Sequence, residues 1–201
     1  MKTGIFSGSF NPIHTGHLIL ASYLHQYEGY EEIWLTVSPH NPLRERFSRE
    51  KDIHRINMVK LAIEGIPGLQ CCDIEFSLPQ PSYSIHTLDT LKALYPDREF
   101  TLIIGADNWL IFDKWKEYKR IINENKICIY PRRGCNIDET ALPSNVYLSK
   151  APIIEISSTF IRDGISKGLN MNFFLTQPVY DYIRSHQLYT CLLYTSDAAD
   201  E

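Results

Sequence analysis

The sequence lacks several features, and each absence excludes a class of function. No run of 18 apolar residues occurs, which excludes a transmembrane helix. The N-terminal stretch MKTGIFSGSFNPIHTGH has too short an apolar run for a signal peptide. There is no excess of base: 20 Lys and Arg stand against 24 Asp and Glu, a formal charge of -4. That excludes a basic nucleic-acid binder held mainly by counterion release, while leaving room for a local basic pocket around a small phosphorylated ligand. Cysteine is sparse and odd in number, at positions 71, 72, 128, 135 and 191. Without an export signal this reads as reduced thiols in a cytoplasm. The vicinal Cys71 and Cys72 fall in a predicted strand, where they face opposite ways and serve packing. No internal repeat, low-complexity segment or long linker is found.

What is present is the balance of a globular domain. The 201 residues are 44% hydrophobic and 22% charged, enough to bury a core without disulfides or metals. The hydrophobic period switches repeatedly between two and about 3.6. Strands are predicted at 2–6, 31–37, 70–76, 100–105 and 126–130, with a sixth at 153–156. Helices are predicted from a Thr15 cap through Tyr27, with Leu18, Ile19, Ala21, Ser22 and Leu24 inward, and from a Ser48 cap over 49–64, with Ile53, Ile56, Met58, Val59 and Ala62 inward. Further helices are expected from Ser84 to Tyr95, from the end of the central strand to about Asn123, and over 158–167 and 177–185. The polar stretch 131–149 reads as a surface connection. Alternating strands and helices imply an α/β protein with a doubly wound parallel sheet, one domain over 1–190 closed by short C-terminal helices. Ligands of such sheets sit beyond the carboxyl ends of the strands.

The loop after the first strand carries the chemistry. Gly8-Ser-Phe-Asn-Pro-Ile-His-Thr-Gly-His17 runs from a strand into a helix start, where glycines admit backbone N–H groups to a phosphate and the helix end favours an anion. The spacing is not G-x-G-x-x-G, and no Gly-Lys-Ser/Thr makes it a P-loop. Two imidazoles three residues apart, His14 and His17, share one face with Gly16 between them. They suit phosphate oxygens that gain charge during transfer. A pair of capping or surface histidines is the plainer alternative. A zinc site needs further ligands, which do not stand out.

The run Gly-Ser-Phe-Asn-Pro-Ile-His-Thr-Gly-His resembles the signature of the H-x-G-H nucleotidylyltransferases, and within them the bacterial nicotinate-nucleotide adenylyltransferases. Matches continue in order through Ser38-Pro-His-Asn-Pro42, Pro81-Ser-Tyr-Ser-Ile-His-Thr-Leu88, Gly105-Ala-Asp-Asn-Trp109, Trp115, Ile156-Ser-Ser-Thr-Phe-Ile-Arg162 and Val179 to Tyr189. The resemblance implies a Rossmann-like nucleotidylyltransferase fold. It also implies transfer of AMP from ATP to nicotinate mononucleotide, with release of pyrophosphate and formation of deamido-NAD. No strong base is required, since a phosphate monoester is already a nucleophile. Mg2+ accompanies ATP. No Ser-His-Asp or paired-carboxylate arrangement appears, in agreement with this. Nucleic acid and membrane are not expected as partners, and a homo-oligomer is compatible with it.

Residue by residue, the resemblance places His14 and His17 on the ATP phosphates, with backbone N–H groups of Gly8, Ser9 and Phe10 cradling the nucleotides. Ser157, Ser158 and Thr159 fall at a helix N-cap that suits an anion, and Arg162 reaches the β- and γ-phosphates. Gly105 admits the adenosine. Asp107 bonds a ribose hydroxyl or else caps the next helix. Arg132 helps with the triphosphate. For the mononucleotide, Ser84 donates to the nicotinate carboxylate or caps its helix. Trp115 stacks on the pyridine ring or belongs to the core, for which Trp109 is the better candidate. His40 and Arg46 contact a phosphate as their loop closes. A solvated charge is the alternative for Arg46 and Arg132. Three departures stand out: Asn11 where many relatives have Asp, Asn41 where many have Lys, and Lys116 where Tyr is frequent. The last loosens the expected preference for nicotinate over nicotinamide. Rival readings are phosphopantetheine adenylyltransferase, favoured against by Trp115 and the Pro-Ser-Tyr-Ser segment, and a non-catalytic nucleotide sensor of the same fold. A fragment of a class I aminoacyl-tRNA synthetase lacks its lysine-rich second signature here.

Residues 191–201, CLLYTSDAADE, have no amphipathic pattern and resemble the translated end of a transposon-type sequencing adaptor, to be set aside from fold reasoning. Removing Asp197, Asp200 and Glu201 takes the acids from 24 to 21 against 20 bases, so the charge is -1. Positive charge then matters locally, at Arg162, Arg46 and the two histidines.

Overall fold

The structure is a computed structural model that describes residues 1–39 and 49–190. Ser48, His40, Asn41, Arg46 and the 191–201 segment lie outside the described residues. Six parallel strands form one sheet: β1 (Lys2–Gly8), β2 (Glu32–Val37), β3 (Leu69–Cys72), β4 (Glu99–Gly105), β5 (Lys126–Tyr130) and β6 (Val146–Leu148). Their order is β3-β2-β1-β4-β5-β6. Winding reverses between β1 and β4, so the crevice for a ligand opens where Gly8 and Gly105 end neighbouring strands.

The helices are α1 (Thr15–Tyr27), α2 (Arg49–Ile63), α3 (Ser84–Leu94), α4 (Ala106–Trp109), α5 (Tyr118–Glu124), α6 (Ser158–Ser166) and α7 (Gln177–Ser185). Strand alternation divides the core into two layers. Phe6, Ile33, Leu35 and Ile103 face the side of α1, α2, α6 and α7, while Ile5, Trp34, Leu102 and Ile104 face the side of α3, α4 and α5. Cys71 and Cys72 split the same way, as their adjacency in a strand requires. Among the described residues no helix is long and apolar enough to cross a membrane.

Several expectations need correction. The cap of α1 is His14, while the Thr15 hydroxyl donates instead to the Phe174 carbonyl at 3.2 Å. In α1 it is Leu20 that is buried, and Ile19 and Ser22 face outward. In α2 Ile53 is half exposed. β3 ends at Cys72, and Ile74–Ser77 coils into a 3-10 turn. The sixth strand is Val146–Leu148, inside the stretch expected to be a surface connection, and residues 153–156 form no strand. Period-two patterning over four residues does not distinguish a paired strand from an extended strap. The helix expected after β4 is broken into α4, a 3-10 turn at Phe112–Lys114 and α5. Trp109 and Trp115 are both half-buried, on either side of the buried Phe112, and the tryptophan in the core is Trp34.

Candidate active site

The loop after β1 is pinned through its carbonyl oxygens. Arg55, on α2 and only 2% exposed, donates to the carbonyls of Ser9 at 2.6 Å and Ser38 at 2.7 Å and pairs with Asp52 at 2.6 Å. Arg162 donates to the Asn11 carbonyl at 2.8 Å, and the Ser158 hydroxyl to that of Pro12 at 2.9 Å. Phe10 adopts a left-handed backbone (φ 43) and is wholly buried, with its ring edge-on to Phe6 and His17. Donors from α2 and α6 thus hold the Gly8–Pro12 segment rigid.

The histidines stack, with ring centroids 3.6 Å apart and planes inclined by 24°. Gly16 makes this arrangement feasible, since a Cβ there would lie 3.0 Å from His14 Nδ1. The backbone N–H of His14 donates to His17 Nδ1 at 3.3 Å, so a neutral His17 carries its proton on Nε2. Burial first, then the Arg132 charge, pulls His14 down to about 4. Burial, then His14 and Arg132, holds His17 well below its ordinary value. Both rings are therefore neutral near pH 7, which corrects the expectation that they supply positive charge. They act as hydrogen-bonding groups. The same two residues form the capping box at the start of α1, so the capping role raised as the plainer alternative is present, and it does not conflict with a role toward a phosphate.

These side chains open into a cavity of about 190 Å³ that Phe6, Tyr130, Arg132, Ser157 and Ser158 also line. A second cavity of about 360 Å³, sharing Arg132, Ile154, Ile156 and Ser157, extends past Asp107, Arg133 and Glu155. The extended stretch 152–157, of which 153–156 was expected as a strand, is the wall common to both. Arg132 donates to the Tyr130 hydroxyl at 2.9 Å and lies 3.6 Å from Asp107, a half-exposed pair worth little to stability. A Cβ at Gly105 would fall 2.3 Å from Asp107 Oδ1, so the Asp107 carboxylate lies directly over the end of β4. At the start of α6, Ser157 caps the helix by accepting from the Phe160 N–H at 3.1 Å, and the Thr159 hydroxyl accepts from Arg162 at 3.3 Å.

Of the residues singled out in the sequence, His14, His17, Asp107, Arg132, Ser157 and Ser158 meet along this groove. Gly8 and Gly105 end β1 and β4, Ser9 and Phe10 follow β1, and Thr159 and Arg162 lie on α6; none of the six lines either cavity. Ser84 and Trp115 lie apart from it, at the first turn of α3 and in the loop before α5. Their neighbourhoods meet where Lys116 Nζ stands 5.9 Å from the Tyr83 ring. Tyr83 is the N-cap of α3, so capping is not the role of Ser84. Sequence reading missed Arg55 and Glu75. The only local signal for Arg55 was a charge set directly beside the apolar stripe of α2. Glu75 was hidden in an over-long predicted strand.

The parallel sheet thus brings the stacked histidines and the start of α6 to one crevice beyond the carboxyl ends of its strands, where sheets of this kind bind ligands. Residues 5–164 match the Cytidylyltransferase-like family, and the chain belongs to it. It is 54% identical over 182 residues to "Probable nicotinate-nucleotide adenylyltransferase" of Bacteroides fragilis (strain YCH46), covering 90% of each chain. The relative of the same name in Bacteroides thetaiotaomicron is 50% identical, covering 92% of each. Among solved structures, Plasmodium falciparum nicotinic acid mononucleotide adenylyltransferase complexed with NaAD superposes with a TM-score of 0.77 at 24% identity, covering 94% of this chain and 97% of that one. By these relatives the chain falls in the nicotinate-nucleotide adenylyltransferase branch of the family.

Proposed function

We propose that the protein transfers the adenylyl group of ATP to the phosphate of nicotinate mononucleotide, forming deamido-NAD and pyrophosphate for NAD biosynthesis. A mononucleotide phosphate oxygen attacks the α-phosphorus in line. The bond from that phosphorus to the β-bridging oxygen breaks, and pyrophosphate leaves with the electron pair. Catalysis of this kind is positioning and charge neutralisation. The observation that carries the reading is the stacked His14–His17 pair, set in a cavity with Arg132 and the start of α6. His17 Nε2–H donates to a phosphate oxygen as charge develops on it, a contribution of about 2–4 kcal/mol for a well-placed donor. Arg132 and Arg162 supply the fixed positive charge, with Arg162 reaching the β- and γ-phosphates. Ser157, Ser158 and Thr159 receive a phosphate at the positive end of α6. Gly105 and Asp107 take the adenosine, Asp107 through a ribose hydroxyl. Ser84 and Trp115 take the nicotinate carboxylate and ring, while His40 and Arg46 are assigned the mononucleotide phosphate from the sequence pattern alone.

Magnesium is assigned to the triphosphate. Among the described residues no three His, Cys, Asp or Glu side chains cluster to hold an ion, and the imidazole and guanidinium donors of the groove suit phosphate oxygens. Bound there, it lowers the negative charge of the leaving pyrophosphate.

Pyrophosphate release from ATP is measured with nicotinate mononucleotide, nicotinamide mononucleotide or phosphopantetheine as acceptor. Fast turnover with the first is expected. Preference for phosphopantetheine, or no turnover with any acceptor, overturns the reading. The latter result points to a nucleotide sensor.

A further inference from the structure

Glu75 is a buried acid that the reaction as drawn does not use. It lies in the 3-10 turn after β3 and is 5% exposed. Its partners are hydroxyls. Oε1 accepts from Ser7 near the end of β1 at 3.4 Å, and Oε2 from Ser82 at 3.1 Å. The hydroxyls of Ser38, beyond β2, and Thr87, on α3, also act on it. Its own carbonyl accepts from Gln80 Nε2 at 3.0 Å, and the Gln80 side-chain oxygen accepts from the Ser82 N–H at 3.2 Å. Segment 75–82 is thus closed on itself and fastened to β1 through one carboxyl group. Next to it, the Phe76 ring lies 5.9 Å from the Arg55 guanidinium, which holds the Ser9 and Ser38 carbonyls.

Burying a carboxyl group is costly unless its oxygens are satisfied, and burial pushes the Glu75 pKa up despite these hydroxyls. An apolar side chain would pack here at less cost. What it could not do is join the ends of β1 and β2 to the lead-in of α3. Ser82 is two residues from Ser84, the first residue of α3, so the tie to Glu75 falls directly before that helix.

We infer that Glu75 is a positioning residue for the mononucleotide side of the site: it draws the Gln80–Tyr83 segment against the end of β1, so that Ser84 and the first turn of α3 stand where the nicotinate carboxylate binds. This rests on the proposed reaction. It assigns Glu75 no contact with the reacting atoms and no part in binding ATP.

Steady-state kinetics of the full chain test it, with each substrate varied at saturating levels of the other. Glu75→Ala is expected to raise KM for nicotinate mononucleotide about tenfold and to leave KM for ATP within about twofold. Glu75→Gln keeps an acceptor of the same shape and is expected to restore the mononucleotide KM to within about threefold of wild type. Ser82→Ala removes only the tie and keeps the carboxyl, so it reads the proposal even if Glu75→Ala does not fold. It is expected to raise the mononucleotide KM about threefold, and the double variant to be no worse than Glu75→Ala alone. Equal rises in both KM values, an unchanged mononucleotide KM in Ser82→Ala, or failure of glutamine to rescue overturns the assignment. Wild-type protein that does not use nicotinate mononucleotide overturns the reaction instead, so the two failures are told apart by the wild-type control.

Discussion

The hydroxyl of Tyr189 donates to the side-chain oxygen of Asn11 at 2.6 Å, joining the last turn of the described chain to the loop after β1. Tyr189 sits in a left-handed backbone (φ 64), and burial pushes its hydroxyl pKa up, with the charges of Arg162 and Arg55 nearby acting against that. Arg162 holds the main-chain oxygen of the same Asn11 at 2.8 Å. Asn11 is thereby held at both its main chain and its side chain. Tyr189→Phe is expected to cost about 1 kcal/mol of stability in urea unfolding and to lower kcat/KM for ATP several-fold. Unchanged kinetics would show the loop to be held without it. Asn11→Asp keeps an acceptor and is expected to stay within about threefold of wild type in rate.

His17→Ala removes the Nε2–H donor and should cut turnover by about 100- to 1000-fold, while circular dichroism and the melting temperature stay close to wild type. Its main-chain N–H still donates to the His14 carbonyl at 2.9 Å, so α1 keeps its first turn. A near-normal rate would remove His17 from the mechanism.

The depressed pKa of His14 has a stability consequence whose sign is definite. Its value falls from 6.5 to about 4 in the folded protein, so between these values the unfolded chain binds more protons. Its contribution is complete above pH 6.5 and is lost as pH falls through the window to about 4. The loss is up to about 3 kcal/mol from the shift alone. Urea unfolding of wild type and His14→Asn at pH 7, 6, 5 and 4 reads this, and the variant is expected to show the shallower decline. Parallel declines would show that His14 does not titrate with folding.

Arg55→Ala strips the donor from two carbonyl oxygens and leaves Asp52 without its partner. Such a break in a buried network is expected to cost about 3–5 kcal/mol. Because the Ser9 carbonyl is released, KM for both substrates should rise in protein that remains folded at low temperature. A loss below 1 kcal/mol in chemical denaturation would show the loops after β1 and β2 to be held by other contacts.

Gly16→Ala brings a Cβ to 3.0 Å from His14 Nδ1 and 3.2 Å from Ile154. Both neighbours wall the cavity, so the methyl is expected to displace the imidazole and lower turnover more than stability, by about tenfold against about 1 kcal/mol. Activity assays paired with thermal melts separate the two effects.

The sequence by itself determined what depends on neighbours along the chain. Strand and helix order followed from hydrophobic period, and β5 and α7 matched their expected limits because each is a regular period bounded by turn or helix-ending residues. The strand-to-helix loop of Gly8–His17 was legible because a strand, a glycine-bearing turn and a helix start are contiguous. Short extended stretches were not legible in this way: 146–148 pairs with β5 and 153–156 does not, and only a neighbouring strand decides which apolar run becomes a rung of the sheet. The tertiary structure alone decided the charge state of the histidines, since burial and the approach of Arg132, more than a hundred residues away, set it. It also decided that Arg55, Glu75 and Tyr189 hold the site together. Each is an ordinary residue in its local context and acquires its role only because folding buries it, or part of it, against loops distant in sequence, where an unpaired polar group is costly and a paired one fixes the backbone.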